Sequence, residues 1–459
     1  MLNESRAVDT ALGIVSAHRT EDARLSRVAS YLDGSYPTSA YIPTKPANRA
    51  SHREYLGIVE RSKVPVLSLP VDTLGQNLWV DGYRPARSAE NAGGWADWQA
   101  NRMDARQGGI HRATVGFGAA YLSVLPGTPG PVWRPVSPRR MRTMWADALN
   151  DEWPTYALET WTEGTPDGPV TRMRLLDDTA LYLLVGSAGG RGDVRLLEVR
   201  EHGTGFCPVV RFAGAPDLDG NALGEVEPLI PLQQQLDAST FYIEMAEQYA
   251  IHRQRWVSGM AIPEDDEGNP IQPFDVAIDR LLVAEDSDVK FGEFGQTDIK
   301  GWLDAREATL RAIAIKSQTP PGYMLGEMAN LSAEALAATE APAQRRAAAY
   351  RTSLGESWEQ AFRLSALQRG DDAGWRDTAA QVVWRDTESR SLAQVADALG
   401  KLAAQLGIPP RALWEKVPGV TDQDLSTWQA MREADVRESA QAAAVALGLG
   451  SDADADVAA

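Results

Sequence analysis

The stretch VEPLIPLQQQLDASTFYIEMAEQYAIHRQRWV, residues 226–257, carries apolar side chains at Leu229, Leu232, Leu236, Phe241, Ile243, Ala246, Tyr249 and Ile251. That recurrence predicts one helix over the whole run, about 45 Å long at 1.5 Å per residue. Such a rod is too long for a compact small domain. A second run, WLDAREATLRAIAIKS at 302–317, has a stripe of Trp302, Ala305, Thr309, Ala312 and Ile313 and stops before Pro320 and Pro321, which cannot continue a helix. Between the rods, residues 258–301 contain Pro263, Pro270 and Pro273, then the strand-like RLLVAE and VKFGEF. This insert holds eleven Asp and Glu against Arg280, Lys290 and Lys300, so eight of the chain's 18 net negative charges fall there. Helix, insert and helix make a stalk carrying a head. A stalk with one apolar stripe needs neighbours to cover it, and cyclic self-association supplies them.

Working outward, helical spacing predicts two short helices between Leu2 and Leu32 broken near His18, kinked helix from Ala50 to Val80 around Pro65 and Pro70, and one helix over 95–112. Between Ala119 and Phe212, short runs rich in Val, Leu, Tyr and Trp alternate with Gly, Pro and Asp, which predicts a mostly antiparallel β region. SAGGRGD at 187–193 reads as a hairpin loop within it. After the second rod comes QTPPGYMLGEMANL, 318–331, read as a loop. Ser332 is expected to cap a helix that reaches Leu367 and bends near Pro342. A short strand, VVWRDT, then helices near 389–406, 410–415 and 421–447 follow. The small, acidic GSDADADVAA is expected to be disordered.

The chain has 459 residues, 63 acidic and 45 basic, with one cysteine, Cys207. Its length allows more than one core. The lone thiol excludes a disulfide scaffold and any thiolate metal cluster. The acidic balance argues against tight, non-specific nucleic-acid binding, which needs clustered cations. The N-terminus has no signal-peptide pattern and no apolar run approaches about 18 residues, so a soluble, unexported protein with no membrane role is expected. The histidines at 18, 52, 111, 202 and 252 lack metal-ligand spacing. DLDGNALGE has its glycine and glutamate misplaced for a calcium loop. Gly116-Phe117-Gly118 lacks the third glycine of a phosphate cradle. No nucleophile motif is present. The expectation is therefore no catalytic residue, no metal and no cofactor. Arg139, Arg140 and Arg142 beside Trp145 have the mixture that meets nucleic acid, although a polar strand edge kept soluble by arginines explains them more cheaply.

In its order of parts the chain resembles the tailed-phage portal proteins, of the siphophage type common in phages of actinobacteria. The resemblance rests on RSKVPVLSLPVDTLGQNLWVDGY (61–83), PVSPRRMRTMWAD (135–147), EVEPLIPLQQQLD (225–237), IKSQTPPGYMLGEMANLSAEAL (315–336) and VVWRDTESRSLAQVADALGKL (382–402). It implies an α+β portal fold: a mixed wing at 1–225, a first stem helix at 226–257, a small α/β clip at 258–301 and a second stem helix at 302–317. A tunnel loop at 318–331, a kinked tunnel helix closing the wing at 332–370, a helical crown at 371–445 and an acidic tail at 446–459 would follow.

The same resemblance implies a ring, usually of twelve copies, at one capsid vertex of the virion, assembled in the host cytoplasm. Double-stranded DNA would pass through it during packaging and ejection. The large terminase subunit, the head-tail adaptor, the major capsid protein and a scaffolding protein would be partners. The channel would be lined in the tunnel loop by Gly322, Tyr323, Met324, Leu325, Gly326, Glu327, Met328 and Asn330; the alternative is that the apolar Tyr323, Met324, Leu325 and Met328 pack against the neighbouring helix. Arg306, Arg311 and Lys316 would meet phosphates or a neighbouring subunit. Glu264, Asp265, Asp266 and Glu267 would dock the basic surfaces of adaptor or terminase. The competing reading is an acidic oligomeric adaptor or scaffold of the virion that never conducts DNA.

Overall fold

A computed structural model describes residues 1–38, 49–86, 92–166, 168–187, 194–251, 255–259, 288–293, 299–326, 333–387, 392–417, 420 and 422–446. The chain begins with α1 (Glu4–Ala17), where the Asn3 carboxamide oxygen accepts from Arg6 N at 2.9 Å and Ala7, Ala11 and Ile14 turn inward at helical spacing. His18 makes the expected break, its ring lying between Ile14 O at 2.9 Å and Thr143 O at 3.2 Å. α2 (Arg19–Asp33) follows, ending at Gly34 with a left-handed φ of 77°. The run expected to be kinked helix through Val80 divides into α3 (Arg49–Arg61), α4 (Ser68–Gln76) and a strand, β1 (Val80–Arg84).

The single helix expected over 95–112 is two, α5 (Ala92–Ala100) and α6 (Met103–Phe117). Arg102 has a left-handed φ of 54°, and Asn101 ties the break to the sheet region by donating to Pro131 O and accepting from Trp133 N, each at 2.9 Å. Gly118 ends α6 at φ 99°, where a Cβ would come within 2.1 Å of Ala222 O. Gly118 is thus a helix stop packed on backbone, and Gly116 sits inside the helix against the Leu32 side chain.

Eight strands then follow, as the β texture predicts: β2 (Ala119–Leu125), β3 (Val132–Val136), β4 (Met141–Met144), β5 (Tyr156–Thr165), β6 (Gly168–Leu176), β7 (Ala180–Ser187), β8 (Arg195–Glu201) and β9 (Val209–Ala213). They form two antiparallel sheets, ordered β3-β2-β9 and β4-β5-β6-β7-β8. α1 packs on one face of the larger sheet through Leu158, Met173, Leu175, Tyr182 and Leu184. Val136, Met141, Leu176, Leu181, Cys207 and Val209 join the two sheets on the other side. Most of SAGGRGD, 188–193, lies outside the described residues.

The remaining elements are α7 (Ile230–Ile251), β10 (Arg255–Ser258), β11 (Lys290–Glu293), α8 (Lys300–Ser317), α9 (Pro321–Leu325), α10 (Ala333–Arg369), α11 (Asp372–Trp375), β12 (Gln381–Trp384), α12 (Leu392–Leu406), α13 (Pro410–Leu413) and α14 (Asp422–Ala446). The first rod is shorter than expected: α7 has 22 residues, about 33 Å. Arg255, Trp256 and Val257 form a strand instead, paired with Glu293, Gly292 and Phe291. A Cβ on Gly292 would lie 2.3 Å from the Trp256 ring, so the glycine seats the indole.

The main core is built on α10, whose Tyr350, Leu354, Trp358 and Phe362 pack with Trp98, Trp133 and Phe212. β12 pairs antiparallel with β1, Val80 opposite Trp384, and Ala380 and Val382 share this core with Val80 and Tyr83. The boundary drawn at 371 for a crown therefore falls inside one packed body, because the short strand VVW completes a ladder that β1 would otherwise leave open. α12 and α14 are mostly exposed along their described lengths.

Candidate functional site

The base of the paired rods is fixed to the sheet-bearing body by buried carboxylates. Just before α7, Glu225 accepts from Arg346 Nε at 3.0 Å and from the Tyr350 hydroxyl at 2.7 Å. Glu227 pairs with Arg24 of α2. One turn into α7, Gln233 accepts from Val66 N at 3.1 Å and donates to Val64 O at 2.8 Å. Asp237, wholly buried, accepts from the Tyr36 hydroxyl at 2.7 Å and Val64 N at 2.9 Å. Burial first, then the hydrogen bond to Asp237 and its charge, hold the Tyr36 phenol well above its usual range. Burial and then Glu225 do the same to Tyr350. Both hydroxyls thus stay protonated donors, and leaving either carboxylate's partners unpaired costs about 1–3 kcal/mol per group.

Above that base, α7 and α8 lie together. Leu236, Leu310 and Ile313 belong to the main core, and Thr309, Ala314 and Ser317 are buried with them. The inward stripe of α8 is therefore rotated from the expected one: Thr309 and Ile313 face in, whereas Trp302 is 44% exposed and Ala305 faces out. Tyr242, Trp302, Leu303 and Ile315 leave apolar surface in solvent, Ile315 at 73% exposure. The α7 sequence contains Asp237, Glu244 and Glu247 and no Lys or Arg. The three expected contact cations of α8 all have partners in their own chain. Arg306 Nε donates to Thr240 Oγ1 at 3.2 Å, Arg311 pairs with Glu307 one turn away, and Lys316 Nζ donates to Pro228 O at 2.7 Å.

The segment expected as a loop at 318–331 begins with a left-handed Gln318, φ 54°, and a Ser317 to Thr319 hydroxyl bond of 2.9 Å. It then forms the helical turn α9 with Pro321 at its first position and Gly326 as a left-handed cap. Gly322 lies inside this turn, so it is a helical residue and not a hinge of an open loop. Met324 and Leu325 pack on the main core, because apolar side chains in so short a connection are buried more cheaply than left in water. Tyr323 stays exposed, its hydroxyl 3.4 Å from Glu340 Oε1, and burial and then that carboxylate raise its pKa. Glu327, Met328 and Asn330, and Glu264, Asp265, Asp266 and Glu267 of the insert, lie outside the described residues, as do Ser332 and the acidic 450–459.

The arginines of SPRRMRTMW are largely paired. Arg142 donates to Asp22 at 2.9 Å and to Thr160 at 2.7 Å, and Arg140 donates to Glu159. Of the histidines, His111 is fully buried, bonded to Leu78 O at 2.9 Å and to Trp358 Nε1 at 3.0 Å, and desolvation lowers its pKa to about 4. His202 is held by Asp177 O at 3.1 Å. Asp217 closes the DLDGN turn through Asp219 N and Asn221 N. Among the described residues no group of three metal-ligating side chains converges, and no helix is long and apolar enough to cross a membrane. Sequence reading missed the buried clamp at Asp237 and Glu225; the only signal was acidic residues placed among apolar ones at the start of a rod.

The family model described as phage portal protein, SPP1 Gp6-like, matches residues 43–438. The portal protein of Mycobacterium phage D29 is 25% identical over 450 residues, covering 93% of this chain and 88% of that protein. That of Mycobacterium phage L5 is 24% identical over 418 residues, covering 87% and 82%. Among solved structures, the chain is similar to one from the virion of a native gene transfer agent particle, at 14% identity and a TM-score of 0.41, covering 80% of this chain and 95% of that one. A chain from the neck of the native particle matches at 12% identity and a TM-score of 0.41, covering 81% and 93%.

Proposed function

This chain belongs to the SPP1 Gp6-like family of phage portal proteins, and we propose that copies of it close into a ring whose stem helices surround passing double-stranded DNA. Its general role is that of a portal protein, a structural component in phage DNA packaging and ejection at a capsid vertex. The observation that carries the ring is the stem: α7 and α8 are clamped to the body at their base yet expose Tyr242, Trp302, Leu303 and Ile315. A second copy beside each pair covers that surface.

In this ring, which the family resemblance sets at twelve copies, the wall beside the DNA is poor in unpaired cations. Each phosphate neutralised adds affinity through counterion release; a wall whose cations are already paired lets the polyanion slide. Tyr323 and the residues after Gly326 are the channel-facing part of the connection, with Met324 and Leu325 anchoring it. The acidic insert, through Glu264 to Glu267, docks the terminase or the adaptor by charge complementarity, and residues after 391 form the crown. Capsid and scaffolding proteins meet the outer wing.

The test is a portal-null phage complemented with this chain lacking Glu327 to Asn330, which leaves the core-packed Met324 and Leu325 in place. Rings still form, and packaged genome is lost or not retained. Normal packaging and retention would refute the channel role of this segment.

A further inference from the structure

Where the two sheets meet, arginines from both form a cation cluster that the stem does not use. Glu159 of β5, with 2% of its side chain exposed, is met by three guanidinium groups: Arg134 at 3.3 Å, Arg140 at 2.7 Å and Arg174 at 2.7 Å. All three lie over the Trp161 ring, their centres 5.9, 5.6 and 5.3 Å from its centroid. One carboxylate for three guanidinium groups leaves two charges over, in a chain whose net charge is negative by 18. The Arg140 Nε is buried and without a hydrogen-bond partner among the described residues. Burial first, and then the Arg134 charge, lower the Arg174 pKa, as expected of cations crowded beyond their counter-charge.

This cluster borders a cavity of about 640 Å³ between α6 and β3, floored by Ile110, Ala113 and Val136, with Arg106 on its α6 side. β3 is the edge of its sheet, but it offers no strand-addition site. The Trp133 N–H is taken by Asn101 at 2.9 Å, and Pro135 has no N–H to give. Recognition must come from guanidinium groups above an apolar floor. A duplex backbone asks for a long cationic track; a short groove with clustered cations and an apolar base suits a peptide that alternates carboxylates with small apolar side chains.

We propose that this groove holds the C-terminal tail of a copy of this chain, LGLGSDADADVAA at 447–459. Asp452, Asp454 and Asp456 alternate with Ala453, Ala455 and Val457. On an extended backbone the three carboxylates share one side at about 7 Å intervals while the apolar residues take the other. The carboxylates pair with Arg134, Arg140 and Arg106, and the alanines and valine lie towards the floor. The docked tail ties the C-terminal helices to the wing by charge.

The test uses the full chain with Ser451→Cys, labelled with a fluorophore; the only native thiol, Cys207, is buried. At about 0.05 M salt the label is immobilised, and at about 0.5 M it moves freely, because screening removes the attraction. The triple change Asp452→Asn, Asp454→Asn and Asp456→Asn frees the label at low salt, as does Arg134→Gln with Arg140→Gln, whose fold is checked by its unfolding midpoint. A label equally mobile in the parent and the triple variant at low salt overturns the proposal, whether or not the arginine variant folds. So does an arginine variant that loses affinity for an added DNA duplex while the label's mobility stays that of the parent, since the groove would then be a phosphate site.

Discussion

The sheet-bearing body and the stem differ in what each leaves unsatisfied. In the body, Trp98, Trp133, Trp358, Phe212 and Phe362 are buried against one another, and even the polar atoms among them are paired: Trp133 Nε1 donates to Ser365 Oγ at 2.9 Å, and Ser365 donates to Asp97 at 2.6 Å. In the stem, aromatic and aliphatic side chains stand in solvent on helices whose base is rigidly held. A single copy completes the first region and not the second. The body therefore carries the stability of the chain, and in the proposed ring the stem would carry the assembly.

The contrast is sharpest at Trp358. Trp358→Ala should remove about 3–5 kcal/mol of stability and orphan the His111 acceptor; a urea unfolding midpoint close to that of the parent would mean the aromatic core is not the stabilising centre.

The next largest effect is one of pH. His111 is neutral in the fold, with its pKa near 4, and reaches about 6.5 when unfolded. Its contribution is complete above about pH 6.5 and is lost as pH falls towards 4, because only the unfolded chain takes up the proton in that window. The span is about 3 kcal/mol. Urea unfolding from pH 7.5 to 4.5 should show this loss in the parent and a flatter profile in His111→Gln.

Gly118→Ala combines a left-handed φ with a 2.1 Å approach to Ala222 O, so a destabilisation above about 1 kcal/mol is expected. Differential scanning calorimetry would detect the shift. The smallest effect on folding belongs to the stem. Ile315→Asp at an exposed position should change the stability of the single chain by less than about 0.5 kcal/mol. Sedimentation should nonetheless show weaker assembly. A variant that unfolds yet assembles would reverse the comparison.

Much of the body could be read from the residues alone. The antiparallel strands between Ala119 and Phe212 announce themselves because Val, Leu and aromatic runs alternate with Gly, Pro and Asp. α8 was legible from its period and from Pro320 and Pro321. The failures have local causes. The break at Asn101 and Arg102 depends on a side chain reaching Pro131 and Trp133, some 30 positions away, which no window of spacing reveals. β1 and β12 are short, Val80 and Trp384 lie 304 positions apart, and their pairing places 371–385 in the body instead of a crown. Met324 and Leu325, in a Gly-bounded connection, read equally as lining or as packing residues, and the helical turn that Pro321 starts directs them inward. The clamp at Asp237 was hidden because its partners, Tyr36 and Val64, come from a distant stretch.

The most direct test of the account is an image down the axis of the purified particle, combined with its mass. A closed ring with an open bore, lost in Ile315→Asp while the unfolding midpoint of the chain is kept, is the predicted result. A monomer under assembly conditions, with Trp302 and Ile315 covered by its own chain, would contradict it.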